Sequence, residues 1–347
     1  MAVVALPMMY LEVFLGQFTS LTVPGAFGGF PLAKGIGWIM LYFTLASCSV
    51  YMSIVVHGVL YLYYSFSSTL PWTSCKQLWT DSMCYERDYR NVPCIHINAT
   101  LARKYASQNY SEKDALAVLS DSGRSVMVPG AEYNAMRSTC LNATQTSTEQ
   151  FLLKKVMRLS SGFDEVDTIN VDSLLVIAIC WFAGFLAVSK GIRSYAKVAT
   201  FGACASYALM FMLFLASVVQ RGSTRGLHAY FRTEWEKLGD VRMNPSSSIW
   251  NIVKLIISDF VFSLLSGCVA LSLSGHATTL YGIDLEDIVV SGYAYAFVAY
   301  PESVKHFSHA ELWCIAFYLL LSILAFSGVV QLRVTYVEIL RSYRSLR

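Results

Sequence analysis

The residues best placed to do chemistry are few, and most lie in apolar surroundings. Asp259 and Ser263 stand four positions apart, so on a helix their oxygens share one face. Oxygen donors of this kind suit a hard cation. An acid within a membrane span costs about 3 kcal/mol on insertion scales, which makes a functional role the default reading. The alternative is that Asp259 lies near the end of its apolar run, beside Lys254, and is simply solvated. Glu12 sits in the middle of an apolar run and needs an interior partner for the same reason, so it reads as structural rather than catalytic. A lone histidine such as His57 reads as a core residue. No Cys/His group has zinc spacing, and no nucleophile elbow, phosphate loop or dinucleotide fingerprint occurs in the sequence. Neither an enzyme nor a cofactor is expected.

The elements that must position these residues are set by composition. Of 347 residues, 55% are hydrophobic and only 14% charged, with a mean hydropathy of +0.48. A soluble domain carries about a quarter charged residues, so this chain reads as a multi-span membrane protein. A formal net charge of +3 without a basic stripe sets nucleic acid aside. Uncharged runs at 36–66, 174–188, 198–220, 260–273 and 312–332, together with an apolar run at 1–18, predict about six membrane segments. The first run carries Glu12 and Pro7 and lacks a basic start, so it reads poorly as a cleavable signal. Helices are expected, because in lipid every backbone amide must bond within its own segment.

Residues 73–171 are polar and hold three sequons, at Asn98, Asn109 and Asn142, with Cys75, Cys84, Cys94 and Cys140. Such a loop belongs outside the cell, and its cysteines are the disulfide candidates. It divides the chain into membrane segments at 1–72, a loop at 73–171 and membrane segments at 172–347. The turn holding Lys190, Arg193 and Lys197 and the tail holding Arg341, Arg344 and Arg347 carry an excess of basic residues, which places both in the cytoplasm. Two cytoplasmic points require an even number of crossings, yet three apolar runs lie between Lys197 and Arg341. The stretch 288–298 is too short to span, and could balance the count as a re-entrant piece only if it sat inside protein.

Several strings, in order, resemble the neurotransmitter:sodium symporter family, carriers of amino acids, monoamines and osmolytes. Leu6-Pro7 through Leu11-Glu12 to Gly16-Gln17-Phe18 resembles its second helix, and Lys34-Gly35-Ile36-Gly37 the start of its third. Tyr51, Tyr61, Ser65-Phe66 and Leu70-Pro71-Trp72 then lead into the large loop. Lys190-Gly191-Ile192 with Lys197 resembles the turn between helices four and five, and Arg221-Gly222 with Trp235 to Leu238 the third exterior loop. Ser263 to Gly275 resembles helix seven, Gly292 to Pro301 the segment before helix eight, and Trp313 the start of helix eight.

The resemblance implies roles for particular residues. Tyr51 falls where a hydroxyl meets the substrate carboxylate, Asp259 where an asparagine ligates sodium, and Ser263 where a serine ligates chloride. Glu12 matches a carboxylate that ties helix two to helix six. Cys75 and Cys84 match the disulfide that opens the loop. Counted from Trp313, Phe326, Ser327, Gly328 and Val329 stand where the family has Leu-Asp-Ser-Gln, so Ser327 replaces the carboxylate and the second sodium site is not expected to form.

The implied fold is all-α, a polytopic transmembrane helical bundle: an incomplete symporter (LeuT-like) fold with a large glycosylated exterior loop. The chain resembles helices two to five, seven and eight. Only eight residues separate Trp250, which precedes the family's sixth helix, from Asp259 in the seventh, and a missing helix there would account for the odd crossing count. The implied activity is sodium-coupled secondary transport of an amino acid, monoamine or related small solute across the plasma membrane, with sodium and, through Ser263, chloride as co-transported ions. Family members work by alternating access around a midplane site. The alternative is a truncated, transport-inactive isoform or fragment that at most associates with full-length relatives. The expected partners are a small solute, sodium and the lipid bilayer. A short channel or receptor-like bundle is not supported by the family strings.

Overall fold

The computed structural model describes residues 34–87, 93–105, 115–119, 125–160, 169–190, 192–231, 250–282, 285–288 and 292–345, with a few single positions besides. Glu12 and Asn109 lie outside the described residues.

Five described helices are long and apolar enough to cross a membrane. In chain order the helices are α1 (Lys34–Ser65), α2 (Ile97–Tyr105), α3 (Gly130–Thr139), α4 (Ser147–Gln150), α5 (Val171–Val188), α6 (Ile192–Val218), α7 (Ser223–Phe231), α8 (Trp250–Tyr281), α9 (Leu285–Ile288), α10 (Tyr300–Val304) and α11 (Ala310–Ser345). The span candidates lie within α1, α5, α6, α8 and α11. After Lys34, α1 contains no charged residue, so its backbone can close every bond internally while its side chains face lipid. The start of α5 is fixed by Asn170, whose side chain accepts from the Ser173 amide and donates to the Val156 carbonyl at 2.9 Å.

Two expectations are refined. The short run at 260–273 belongs to the 32-residue helix α8. The stretch around 288–298 is no span: Tyr295–Ala299 forms one π-helical turn that runs into α10, and Phe297 and Tyr300 are both buried. Three span helices, α6, α8 and α11, therefore still separate the two basic regions among the described residues.

Helix α11 packs along α1 and against α6, while α8 packs against α6 and α7. The core is aromatic. Tyr61 of α1 meets Trp72, Phe151, Phe297 and Tyr318 with ring centroids 4.8–5.3 Å apart. Trp72 and Phe151 come from the loop that joins α1 to α5, so loop and bundle share one core. At the α7–α8 crossing the backbones nearly touch: a Cβ on Gly226 would lie 1.7 Å from the Leu271 carbonyl oxygen. Only glycine permits that approach.

The loop has more structure than its polar composition announced. Strand β1 (Cys84–Tyr85) pairs in parallel with β4 (Gln145–Thr146), and β2 (Ala115–Leu119) pairs antiparallel with β3 (Ser125–Pro129). Cys75 is bonded to Cys84, as the resemblance implied, and Cys94 to Cys140. The second bond closes a small subdomain whose core is Ile97, Leu101, Val118 and Val128.

Candidate substrate and ion site

The structure brings some of the expected site residues together and leaves others apart. Tyr51 lies on α1 with its ring over Gly328 of α11; a Cβ added to Gly328 would stand 3.6 Å from Tyr51 Cδ1. That is ordinary van der Waals contact, so the ring packs against Gly328 without depending on the missing side chain, and Tyr51 is 45% exposed. Ser327, next to it, is half-buried, and its Oγ donates to the Leu324 carbonyl at 2.8 Å. It also lines a small apolar cavity of about 160 Å³ between α6 and α11, with Tyr195, Gly202, Ile323 and Phe326.

Asp259 and Ser263 lie elsewhere, in the first half of α8, and both are exposed. Among the described residues, no hydrogen bond or ring contact joins them to Tyr51 or Ser327, and none reaches the Asp259 carboxylate. The Ser263 carbonyl accepts from Ser266 Oγ at 2.9 Å. Ser258, one residue before Asp259, bonds to the Tyr207 hydroxyl and so ties α8 to α6. Asn98 and Asn142 are both exposed in the loop, as sugar attachment requires.

His57 is a bridge. Its Nδ1 shares a hydrogen bond with the Tyr293 hydroxyl, and its ring meets Tyr293 and Phe297 edge-on. It is half-buried, with Tyr293 as its hydrogen-bond partner. Beside it runs a cleft of about 410 Å³ between α1 and α5.

Sequence reasoning missed a second set of polar residues. In the π-helical turn at Tyr295–Ala299 the ordinary helical pattern of bonds is interrupted, and hydroxyls from neighbouring helices reach its carbonyls. Tyr61 donates to Phe297 O at 2.9 Å and Tyr318 to Ala296 O at 3.2 Å. Just beyond, Glu302 is 3% exposed; it accepts from Lys305 Nζ at 2.7 Å and from Thr148 Oγ1 at 3.2 Å. Lys305 also donates to the Arg87 carbonyl at 3.0 Å. Burial works against the Arg87 charge, but Glu302, Tyr85 and Tyr281 outweigh it and hold the guanidinium's pKa above its ordinary value. The available signal was an acid and a base three residues apart at the end of an uncharged stretch.

Comparison with known proteins shows the family. The family model described as Sodium:neurotransmitter symporter family matches residues 1–251 and 247–343, and the chain belongs to that family. The sodium- and chloride-dependent creatine transporter 1 of Mus musculus is 26% identical over 346 residues, covering 92% of this chain and 49% of the relative. The creatine transporter of Torpedo marmorata is 25% identical, covering 91% of this chain and 49% of its own. The sodium- and chloride-dependent neutral and basic amino acid transporter B(0+) of Mus musculus is 24% identical, covering 92% of this chain and 52% of its own. The chain thus spans about half the length of the curated relatives it matches.

Proposed function

We propose that this chain serves sodium-coupled secondary transport of a small zwitterionic or cationic solute of the amino acid, monoamine or creatine type across the plasma membrane. The observation that carries this reading is the symporter match on both sides of residues 247–251. In this reading the Tyr51 hydroxyl meets the substrate carboxylate beside Gly328, and Ser327 stands where a second sodium site lacks its acid. Asp259 offers a carboxylate to sodium and Ser263 a hydroxyl to chloride. Glu12 is a structural tie, and the segments divide at 1–72, 73–171 and 172–347, with the middle segment outside the cell and glycosylated at Asn98, Asn109 and Asn142. The Cys75–Cys84 and Cys94–Cys140 bonds fit an oxidising compartment.

Uptake of radiolabelled creatine and of neutral and basic amino acids into cells expressing the chain tests the proposal. Sodium-dependent uptake above that of empty cells is expected, and replacing chloride by gluconate shows whether Ser263 has its proposed use. Uptake equal to that of empty cells in sodium refutes it.

One observation favours a second reading, in which the chain does not transport alone and associates with full-length relatives. The two matched pieces meet at 247–251, where the sequence leaves no room for the family's sixth helix, and Asp259 just beyond stands exposed. Co-expression with a full-length relative, followed by co-purification, separates the two readings.

A further inference from the structure

Two of the three sequons lie among the described residues, and their backbones differ. Asn98-Ala99-Thr100 sits in α2, which is entered through a 3₁₀ turn at Cys94–His96, so the chain is helical on both sides of Asn98. Asn142-Ala143-Thr144 lies outside any helix, between the Pro93–Leu141 bridge and strand β4. A sequon is recognised through two side chains, the asparagine and the threonine two positions on. On a helix, residues i and i+2 stand about 200° apart around the axis and cannot be presented together, whereas in an extended stretch they share one side.

The side chains follow their backbones. In α2 the Thr100 hydroxyl is committed to the His96 carbonyl at 2.8 Å, while Asn98 is exposed. In the second sequon Asn142 and Thr144 are both exposed and Ala143 between them is buried, the pattern of one shared outward face. The Thr144 amide donates to the Met83 carbonyl at 3.0 Å, so this stretch is anchored without being wound up.

The residues that make α2 helical arrive late. Nine residues are too few for a helix to stand alone in water, and α2 is held by packing Ile97 and Leu101 on Val118 and Val128 of the hairpin. Val128 lies 30 residues after Asn98, and Cys140 lies 42 after it. At about 5–20 residues per second of synthesis, Asn98 has about 2–6 s before the core that winds its sequon can form. The Cys94–Cys140 bond then locks that core, its two thiols giving two electrons and two protons to a disulfide oxidant of the secretory pathway.

We propose that sugar attachment at Asn98 is decided by a race between transfer and the folding of α2, with Cys94–Cys140 as the lock, while Asn142 remains an acceptor after the bond has closed. In the transfer, Asn98 Nδ2 bonds to the anomeric carbon of a lipid-diphosphate-linked oligosaccharide, the anomeric carbon–oxygen bond to the diphosphate breaks, and one Nδ2 proton leaves to a base. The proposal rests on residues 73–171 lying outside the cell and is independent of transport.

Pulse-labelling of the full chain in cells, with occupancy read by peptide mass spectrometry after enzymatic deglycosylation in heavy-oxygen water, tests it. In the wild type Asn98 should be partly bare and fixed by the end of the pulse, while Asn142 gains sugar during the chase. Cys94→Ser with Cys140→Ser should lower the bare fraction of Asn98 at least twofold and leave Asn142 unchanged. Ala102→Gly, which loosens α2 without touching sequon or cysteines, should act in the same direction. Full occupancy of Asn98 in the wild type, or a bare fraction unmoved in both variants, overturns the proposal alone. Sugar at neither asparagine overturns it together with the exterior placement of the loop.

Discussion

Glu302 and its partners concentrate charge where little water reaches, and that sets the cost of altering them. Removing one member of a buried, hydrogen-bonded pair leaves the other charge stranded, at a cost of about 3–5 kcal/mol, whereas replacing both by apolar groups is often neutral. Lys305→Met alone should therefore sharply lower the thermal midpoint of the detergent-solubilised protein, and Glu302→Leu, which strands both Lys305 and the Arg87 guanidinium, should lower it at least as far. A midpoint unchanged in either variant would show that these charges do not support one another. Tyr61→Phe is a milder test: it leaves the ring contacts in place but strips the donor from the Phe297 carbonyl, so about 1–3 kcal/mol is expected. Two carboxylates in the loop carry a pH dependence. Hydrogen bonds from Lys154 and then Gln150 hold Asp81 below its ordinary pKa, and Lys104 and then Tyr105 do the same for Glu132. Their stabilisation is complete above the ordinary carboxylate range near about 4 and is lost as pH falls below it. Amide exchange in 81–87 and 130–139 should accelerate on that descent, while exchange in α11 stays slow.

Among the elements, the α7–α8 crossing is the least tolerant. A side chain at Gly226 would meet the backbone of Leu271 rather than a movable side-chain tip, so the helices must part. Gly226→Val should block assembly outright, while Gly202→Ala, which meets only the Ile323 side chain at 3.5 Å, should be nearly silent. Yield of the mature glycosylated form distinguishes them. The spans were legible in the sequence because long uncharged runs have one solution in lipid, and α1, α5, α6, α8 and α11 appear where those runs fall. Tyr51 enters the candidate site only through the family strings, since nothing local separates it from the chain's 20 other tyrosines. The Cys94–Cys140 bond and the β2–β3 hairpin were not legible: four cysteines permit three pairings, and the strands Ala115–Leu119 and Ser125–Pro129 are short apolar runs that periodicity alone does not tell from helix. The π-helical turn was equally hidden, because the hydroxyls that support it come from Tyr61 and Tyr318, far away in sequence.

For the whole molecule, the central question is how many times the chain crosses the bilayer. Three span helices between two basic regions place one of those regions on the wrong side by the charge rule. A tag at Arg347 and glycosidase digestion of the sequons settle the arrangement: a tag on the same side as the sugars means that α6, α8 and α11 all cross and that the tail's charge is overridden. Because residues are packed sparsely along the outer faces of α5 and α6, with Phe182, Phe185, Phe201 and Phe211 exposed, those faces require lipid or further helices as solvent.

The shared aromatic core also constrains the order of assembly. Trp72 and Phe151, though they belong to the segment between two spans, occupy the space that Tyr318 of α11 must enter. The final helix pair therefore cannot close until the intervening segment of about 105 residues, 66–170, has folded and its disulfides have formed. A reductant present during synthesis should trap a greasy, unclosed intermediate prone to clearance, while the same reductant applied to the finished protein should do far less harm.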